Sequence, residues 1–176
     1  MGKLNYLSQN SKIKKIKEAD VYNWGIPAFI SKVNNLKTCP NAGVCATGCY
    51  AQNGTYLFKN VLSKYESRLT LALSDQFETV ISEEIQQVSE KASKRDKPCI
   101  IRIHDSGDFF SEEYTNKWLN VIQSTPNVLY YAYTKQVAQF KAMEHPANLI
   151  MIYSYGGKQD HLIDPERDRH SRVFPD

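Results

Sequence analysis

Cys39, Cys45 and Cys49 sit in one run, Thr38-Cys39-Pro40-Asn41-Ala42-Gly43-Val44-Cys45-Ala46-Thr47-Gly48-Cys49-Tyr50, and the whole chain holds only four cysteines. Thiolates favour soft or borderline centres such as zinc, copper(I) and iron–sulfur clusters. Pro40, Gly43 and Gly48 allow tight turns, and Ala42, Ala46 and Thr47 keep the loop lined by small side chains. Structural zinc takes four protein ligands, usually as paired C-x2-4-C knuckles. Here the spacings are five and three, with no second knuckle. A cuboidal cluster tolerates wider and unequal spacings, and the ferredoxins hold theirs on four thiolates. The pattern therefore points to a 4Fe-4S cluster on Cys39, Cys45 and Cys49, with one iron left to a remote ligand or open to a small molecule. Zinc is the alternative cofactor, and a loop of free thiols is the alternative to any metal.

Cys99 opens Cys99-Ile100-Ile101-Arg102-Ile103, a β-rich apolar run. It reads as a small buried hydrophobe rather than the fourth ligand. It also sits at the far end of its strand, ~16 Å from His104 at ~3.3 Å per residue. Few, bunched cysteines in a chain of 176 residues argue against a disulfide framework.

A second group of chemical residues follows the apolar runs. His104-Asp105-Ser106-Gly107-Asp108 follows the first, Tyr133-Thr134-Lys135 the second and Ser154-Tyr155-Gly156-Gly157-Lys158 the third. His104, Asp105, Asp108 and Lys135 are the candidate catalytic groups: acid–base residues and an anion anchor. Arg102 lies inside a strand, where a charge is costly unless paired. With Ser106, Tyr133 and Ser154 it is a candidate cofactor-binding residue. The competing reading makes His104 and Asp105 a loop cap and Asp108 an Asx-turn. Gly156-Gly157 offers close backbone approach to a phosphate, though it is far from a P-loop.

These residues need a frame. Val61, Tyr65, Leu69, Ala72 and Leu73 recur at helical spacing, and Phe77, Val80, Ile81, Ile85 and Val88 mark a second helix after an N-cap signal at Ser74. Strands are expected at 100–104, 128–133 and 149–154, alternating with helices that open at Ser111 and Val137. That alternation gives a single α/β domain with a parallel sheet, an abbreviated partial barrel. The expected division is a cysteine loop over 38–51, helices over 60–93, a βαβαβ core over 99–155 and a solvated tail over 156–176. The first 60 residues read as irregular or short-element structure. Ligands bind outside the carboxyl ends of parallel strands, so the polar residues converge on the expected site edge.

The charge of +3, from 22 basic and 19 acidic side chains, gives little support to nonspecific nucleic-acid binding. The run Lys12-Ile13-Lys14-Lys15-Ile16-Lys17 is a solvated face or a phosphate-contacting edge. Eleven tyrosines offer stacking surfaces as well as core. No apolar stretch reaches the ~20 residues of a membrane helix, and Met1–Tyr6 lacks a signal-peptide core.

Several pieces resemble the phage gene-product-88 family: Asn10-Ser11-Lys12, Gly25-Ile26-Pro27-Ala28, Cys39-Pro40, Cys45, Cys49-Tyr50-Ala51, Ile103 to Phe109, Tyr131-Ala132-Tyr133-Thr134-Lys135 and His170-Ser171-Arg172-Val173-Phe174. The resemblance spans nearly the whole chain. It implies a phage origin, the host cell cytoplasm as location, and family members that continue past the position of Asp176. A more distant resemblance is to radical S-adenosylmethionine enzymes, which carry a C-x3-C-x2-C loop near the start of an α/β partial barrel. Cys45 and Cys49 supply the x3 spacing, but Gln52 stands at the next position. The combined expectation is a phage-encoded iron–sulfur protein, a radical or redox enzyme with an open cluster iron, an unknown small-molecule ligand and S-adenosylmethionine as a further cofactor. The alternative is a non-catalytic, metal-stabilised module that binds nucleic acid or a host protein.

Overall fold

Five parallel strands form one sheet in the order β1-β2-β3-β4-β5: β1 (Asp20–Trp24), β2 (Cys99–Ile103), β3 (Leu129–Thr134), β4 (Leu149–Ser154) and β5 (His170–Ser171). The computed structural model describes residues 5–172. Met1–Leu4, and the Val173-Phe174 end of the family-like motif, lie outside the described residues. Between the strands run α1 (Lys59–Ala72) and α2 (Phe77–Ser93), then α3 (Glu112–Ser124), then α4 (Val137–Lys141). Sequential strand order with right-handed crossovers gathers the helices on one face of the sheet. The result is a mixed α/β unit whose sheet is not closed into a barrel.

Strand burial records the two faces. In β2, Cys99, Ile101 and Ile103 are buried under the helices, while Ile100 and Arg102 are half-buried on the other side. Their neighbours in register continue that second face: Arg102 lies beside Asn23 on β1 and Tyr131 on β3. Farther along, Leu129 and Ile150 are exposed. The helix-side core is dense. Trp24, Phe77 and Trp118 meet edge to face with centroids 5.3–5.6 Å apart, and all three are fully enclosed. Such pairs add to the area they bury.

The sequence pattern anticipates three strands; the structure has five. β1 falls within the stretch read as irregular or short-element structure, where polar Asp20 and Asn23 interrupt its apolar pattern. Asp20 is instead paired with Arg95, and the backbone of Asn23 exchanges hydrogen bonds with Ser8. β5 is two residues long, within the stretch read as a solvated tail, and pairs with Tyr153 and Ser154. Lys141 on α4 is ion-paired to Asp168 just ahead of it. Ser74 does not cap α2. Its hydroxyl donates to the Leu71 carbonyl and finishes α1. Ser111 does cap α3, accepting from Tyr114 N at 3.1 Å.

Candidate functional site

A cleft of about 700 Å³ opens where the uncovered sheet face meets α1, at the carboxyl ends of β1 and β2. Its floor carries Asn23 and Arg102, side by side in register. Its walls carry Tyr50, Tyr56, Lys64 and Tyr65, and its rim is the Ser8–Lys12 segment. Arg68 reaches under the rim from α1. It donates to Tyr6 O (2.6 Å), Gly25 O (3.4 Å) and Ser8 Oγ (2.9 Å), so its charge is spent on holding the N-terminal segment in place. Asn10 accepts from the amides of Lys12 and Ile13 and sets the short turn that brings Lys12 to the cleft. Lys14, Lys15 and Lys17 of the basic run are exposed.

Three residues lining this cleft each carry a buried polar atom with no hydrogen-bond partner among the described residues: Asn23 Oδ1, Arg102 Nε and Asp105 Oδ1. Asn23 is 1% exposed and Asp105 7%. Buried polar atoms are nearly always paired, and a lone one costs about 1–3 kcal/mol. Burial raises the Asp105 carboxyl above its ordinary value, against the pull of Arg68 and Arg102. Its other oxygen accepts from Tyr65 at 3.3 Å, and its carbonyl accepts from Tyr50 at 2.7 Å. Gly25 is required here: a Cβ on it would stand 1.9 Å from Asp105 Oδ1. Burial lowers the Lys64 ammonium and raises Tyr56 to about 12. Arg102 also stacks over Tyr133, 5.4 Å from its centroid.

The other residues of the β2 loop turn inward. His104 takes a left-handed backbone at φ 65° and is 3% exposed. The Tyr114 hydroxyl accepts from Trp24 Nε1 and pairs with His104 Nε2 in a direction set by the imidazole tautomer, each at 2.9 Å, and His104 Nδ1 has no partner among the described residues. Phe109 meets the imidazole edge-on at 4.5 Å, and burial drives the ring down to about 3, holding it neutral. Asp108 is fully used. Oδ1 accepts from Phe109 N and Thr134 Oγ1, and Oδ2 accepts from Lys135 N. It ties the β2 loop to the end of β3. Lys135 Nζ donates to Ser154 Oγ at 3.0 Å, joining the ends of β3 and β4. Ser106 is buried, with Oγ unpartnered among the described residues. Of the sequence candidates, the fold brings Arg102 and Asp105 into the cleft and places Tyr133 beside Arg102. His104 and Asp108 are packed inside, and Lys135 and Ser154 pair with each other.

The cysteine loop does lie over the carboxyl edge. Gly156, at φ 95°, offers its carbonyl to both Gly43 N and Cys45 N, each at 3.1 Å, and Lys158 N donates to Asn41 O. Gly156-Gly157 thus clamps this loop. The three thiols, however, ride on separate turns. Cys45 is in a 3-10 turn against Gly156, and Cys49 precedes the next such turn. Cys39 lies just after Thr38, whose carbonyl accepts from Asp108 N; its thiol is pushed up to about 12 by burial, then by Asp108. Among the described residues no three His, Cys, Asp or Glu side chains are grouped to hold a metal ion. The iron–sulfur expectation is corrected on this ground, and with it the cluster-based radical or redox enzyme and the metal-stabilised module. Cys99 is 3% exposed at the opposite end of β2, in the core.

Sequence reasoning missed Asn23, Tyr50, Tyr56, Lys64 and Tyr65 as members of one site. Two signals were available: an Asn within an apolar strand, and an Arg at Tyr65 plus three on the inner side of a helix. The model of the gene product 88 family matches residues 5–176. The Gene 88 protein of Mycobacterium phage L5 is 35% identical over 124 residues, covering 66% of this chain and 52% of that protein. The Gene 88 protein of Mycobacterium phage D29 is 32% identical over 124 residues, covering 66% and 51%. The chain spans about half the length of these curated relatives. No solved structure matches it. No described helix is long and apolar enough to cross a membrane.

Proposed function

The chain belongs to the gene product 88 family of phage proteins, and we propose that it binds a small anionic molecule in the cleft between α1 and the open sheet face. The observation that carries the reading is the set of unpartnered, buried polar atoms on the cleft floor: Arg102 Nε, Asn23 Oδ1 and Asp105 Oδ1. A guanidinium with a free N–H recognises carboxylate or phosphate oxygens. Lys64 and Lys12 add charge of the same sign around the opening. The cleft's size falls within the range of ligand sites, about 300–1,000 Å³. Its place at the carboxyl ends of parallel strands is where α/β sheets hold ligands.

Inorganic phosphate is the simplest probe. A ligand that binds only the folded state raises the melting temperature by mass action. Millimolar phosphate, at constant ionic strength, is expected to raise the melting temperature of the wild type and not that of Arg102→Gln. An equal rise in both proteins, or none in the wild type, defeats the reading.

A further inference from the structure

The structure assigns a narrower ligand class to the cleft, a nucleoside monophosphate; this rests on the anion-binding reading above. An anion alone would answer Arg102 Nε but leave two acceptors, Asn23 Oδ1 and Asp105 Oδ1, without donors. The ligand must therefore carry hydroxyl or amino hydrogens as well as an acceptor. The acceptors sit beside the cation: Arg102 and Asn23 are neighbours in register, and the Asp105 carboxylate lies within the field of Arg102. Donors and anion must then be close together on the ligand, as the hydroxyls and phosphate of a ribose phosphate are.

The third component is aromatic. Tyr50 meets Tyr56 edge to face at 5.6 Å, and Tyr56 stacks on Tyr65 at 6.1 Å and 21°. The three rings form a row along one wall, and the outermost, Tyr50, is 56% exposed at the mouth of the cleft. The Tyr50 hydroxyl is fixed on the Asp105 carbonyl. Its ring is therefore oriented by the same loop that carries the carboxylate. A held aromatic face beside a polar floor suits a planar base, which stacks with little regard to its identity. Ribose on Asp105 and Asn23, phosphate on Arg102 and base on Tyr50 use each unpartnered feature once.

The experiment is calorimetric titration of the full chain with the four common nucleoside monophosphates, ribose 5-phosphate and inorganic phosphate. Nucleotides should bind at least tenfold more tightly than ribose 5-phosphate. Tyr50→Leu should remove that advantage, lowering nucleotide affinity about tenfold and leaving ribose 5-phosphate unchanged, whereas Tyr50→Phe keeps the ring, loses only its tether to the Asp105 carbonyl, and should keep most of the affinity. Tyr50 is exposed enough that both variants should fold, and circular dichroism checks this. If ribose 5-phosphate binds as tightly as the nucleotides, the nucleoside class is overturned while the anion site stands. If Tyr50→Leu weakens both ligands equally, the stacking role is overturned. If no phosphate compound binds, both readings fall together.

Discussion

Asp105 and Asp108 lie on one loop, 7% and 5% exposed, and burial raises both carboxyls. Their surroundings differ in kind. Asp108 receives three hydrogen bonds, from Phe109 N, Thr134 Oγ1 and Lys135 N. Asp105 keeps one oxygen, packed beside Gly25, without a donor among the described residues, and it lines a cleft with two other residues that carry unpartnered atoms. A buried charge answered by the fold is a structural tie; one left unanswered beside open volume is a place for something else. His104 and Arg102 differ in access rather than in pairing: His104, whose Nδ1 also has no partner among the described residues, is enclosed by Tyr114 and Phe109, whereas Arg102 lies on the cleft floor.

The sharpest way to break this comparison is to truncate both carboxylates. Asp108→Ala orphans three donors, two of them backbone amides, and should cost about 3 kcal/mol, since each unsatisfied buried group costs about 1–3 kcal/mol and neighbours relax in part. Asp105→Ala should cost less than about 1 kcal/mol, because it removes only one long hydrogen bond, from Tyr65 at 3.3 Å. Urea unfolding with a shared slope measures both. Equal losses would erase the distinction between tie and site.

Acid should report on the inward half of the loop. His104 is held near 3 in the folded chain by burial, against an ordinary value of 6.5. A histidine kept neutral by the fold takes up its proton on unfolding. Its contribution is therefore fully present above about 6.5 and is lost as the pH falls toward 3. Between pH 6.5 and 5 the loss should be about 1.5 kcal/mol. The raised carboxyls of Asp105 and Asp108 work in the opposite sense, so the wild type is compared with His104→Asn, which tolerates the left-handed backbone at this position. The difference in stability between the two proteins should shrink by that amount over this interval. A difference that stays constant means that the ring is open to water.

Much of the frame could be read in advance, and the reasons are local. α3 announces itself through the Ser111 cap and the spacing of Tyr114, Trp118 and Ile122, features that lie within one helix. β2, β3 and β4 are β-branched and aromatic runs. β1 was hidden because polar Asp20 and Asn23 interrupt it: Asp20 is answered by Arg95, remote in sequence, and Asn23 lines the cleft with its Oδ1 unpartnered among the described residues. The site was legible in part for the same reason. A charge inside a strand identified Arg102, and position at a strand end identified Asp105, since the carboxyl edge follows from parallel topology. It cannot tell which side chains in the next loop turn inward. That is decided by the left-handed turn at His104 and by Gly107, at φ 81°, where a Cβ would stand 2.3 Å from Ile26 Cγ1. The cysteine spacing suggested a shared centre, but the three thiols are distributed over separate turns pinned by Gly156 and by Asp108.

The smallest expected effect tests the outward half of the comparison. Asp105→Asn keeps the shape of the side chain and removes its charge. Arg68 does not depend on that charge for its hydrogen bonds, which go to Tyr6, Gly25 and Ser8. Burial outweighs the attraction of Arg68 and Arg102, so the Asp105 carboxyl is raised. A raised carboxyl contributes stability below its unfolded value and loses that contribution as the pH rises through its folded value. At pH 7 the ligand-free wild type bears the cost of burying the ionised form, and the amide does not. Asp105→Asn should therefore stabilise the ligand-free protein at pH 7 by about 0.5–1 kcal/mol, as substitutions that relieve a strained binding site commonly do. The gain should shrink as the pH falls from 7 toward 4, because a raised carboxyl takes up its proton earlier than an ordinary one on the way down. Melting temperatures of both proteins at the two pH values decide it. A loss of stability at pH 7 would show that the carboxylate is satisfied by the fold after all, and Asp105 would then belong with Asp108.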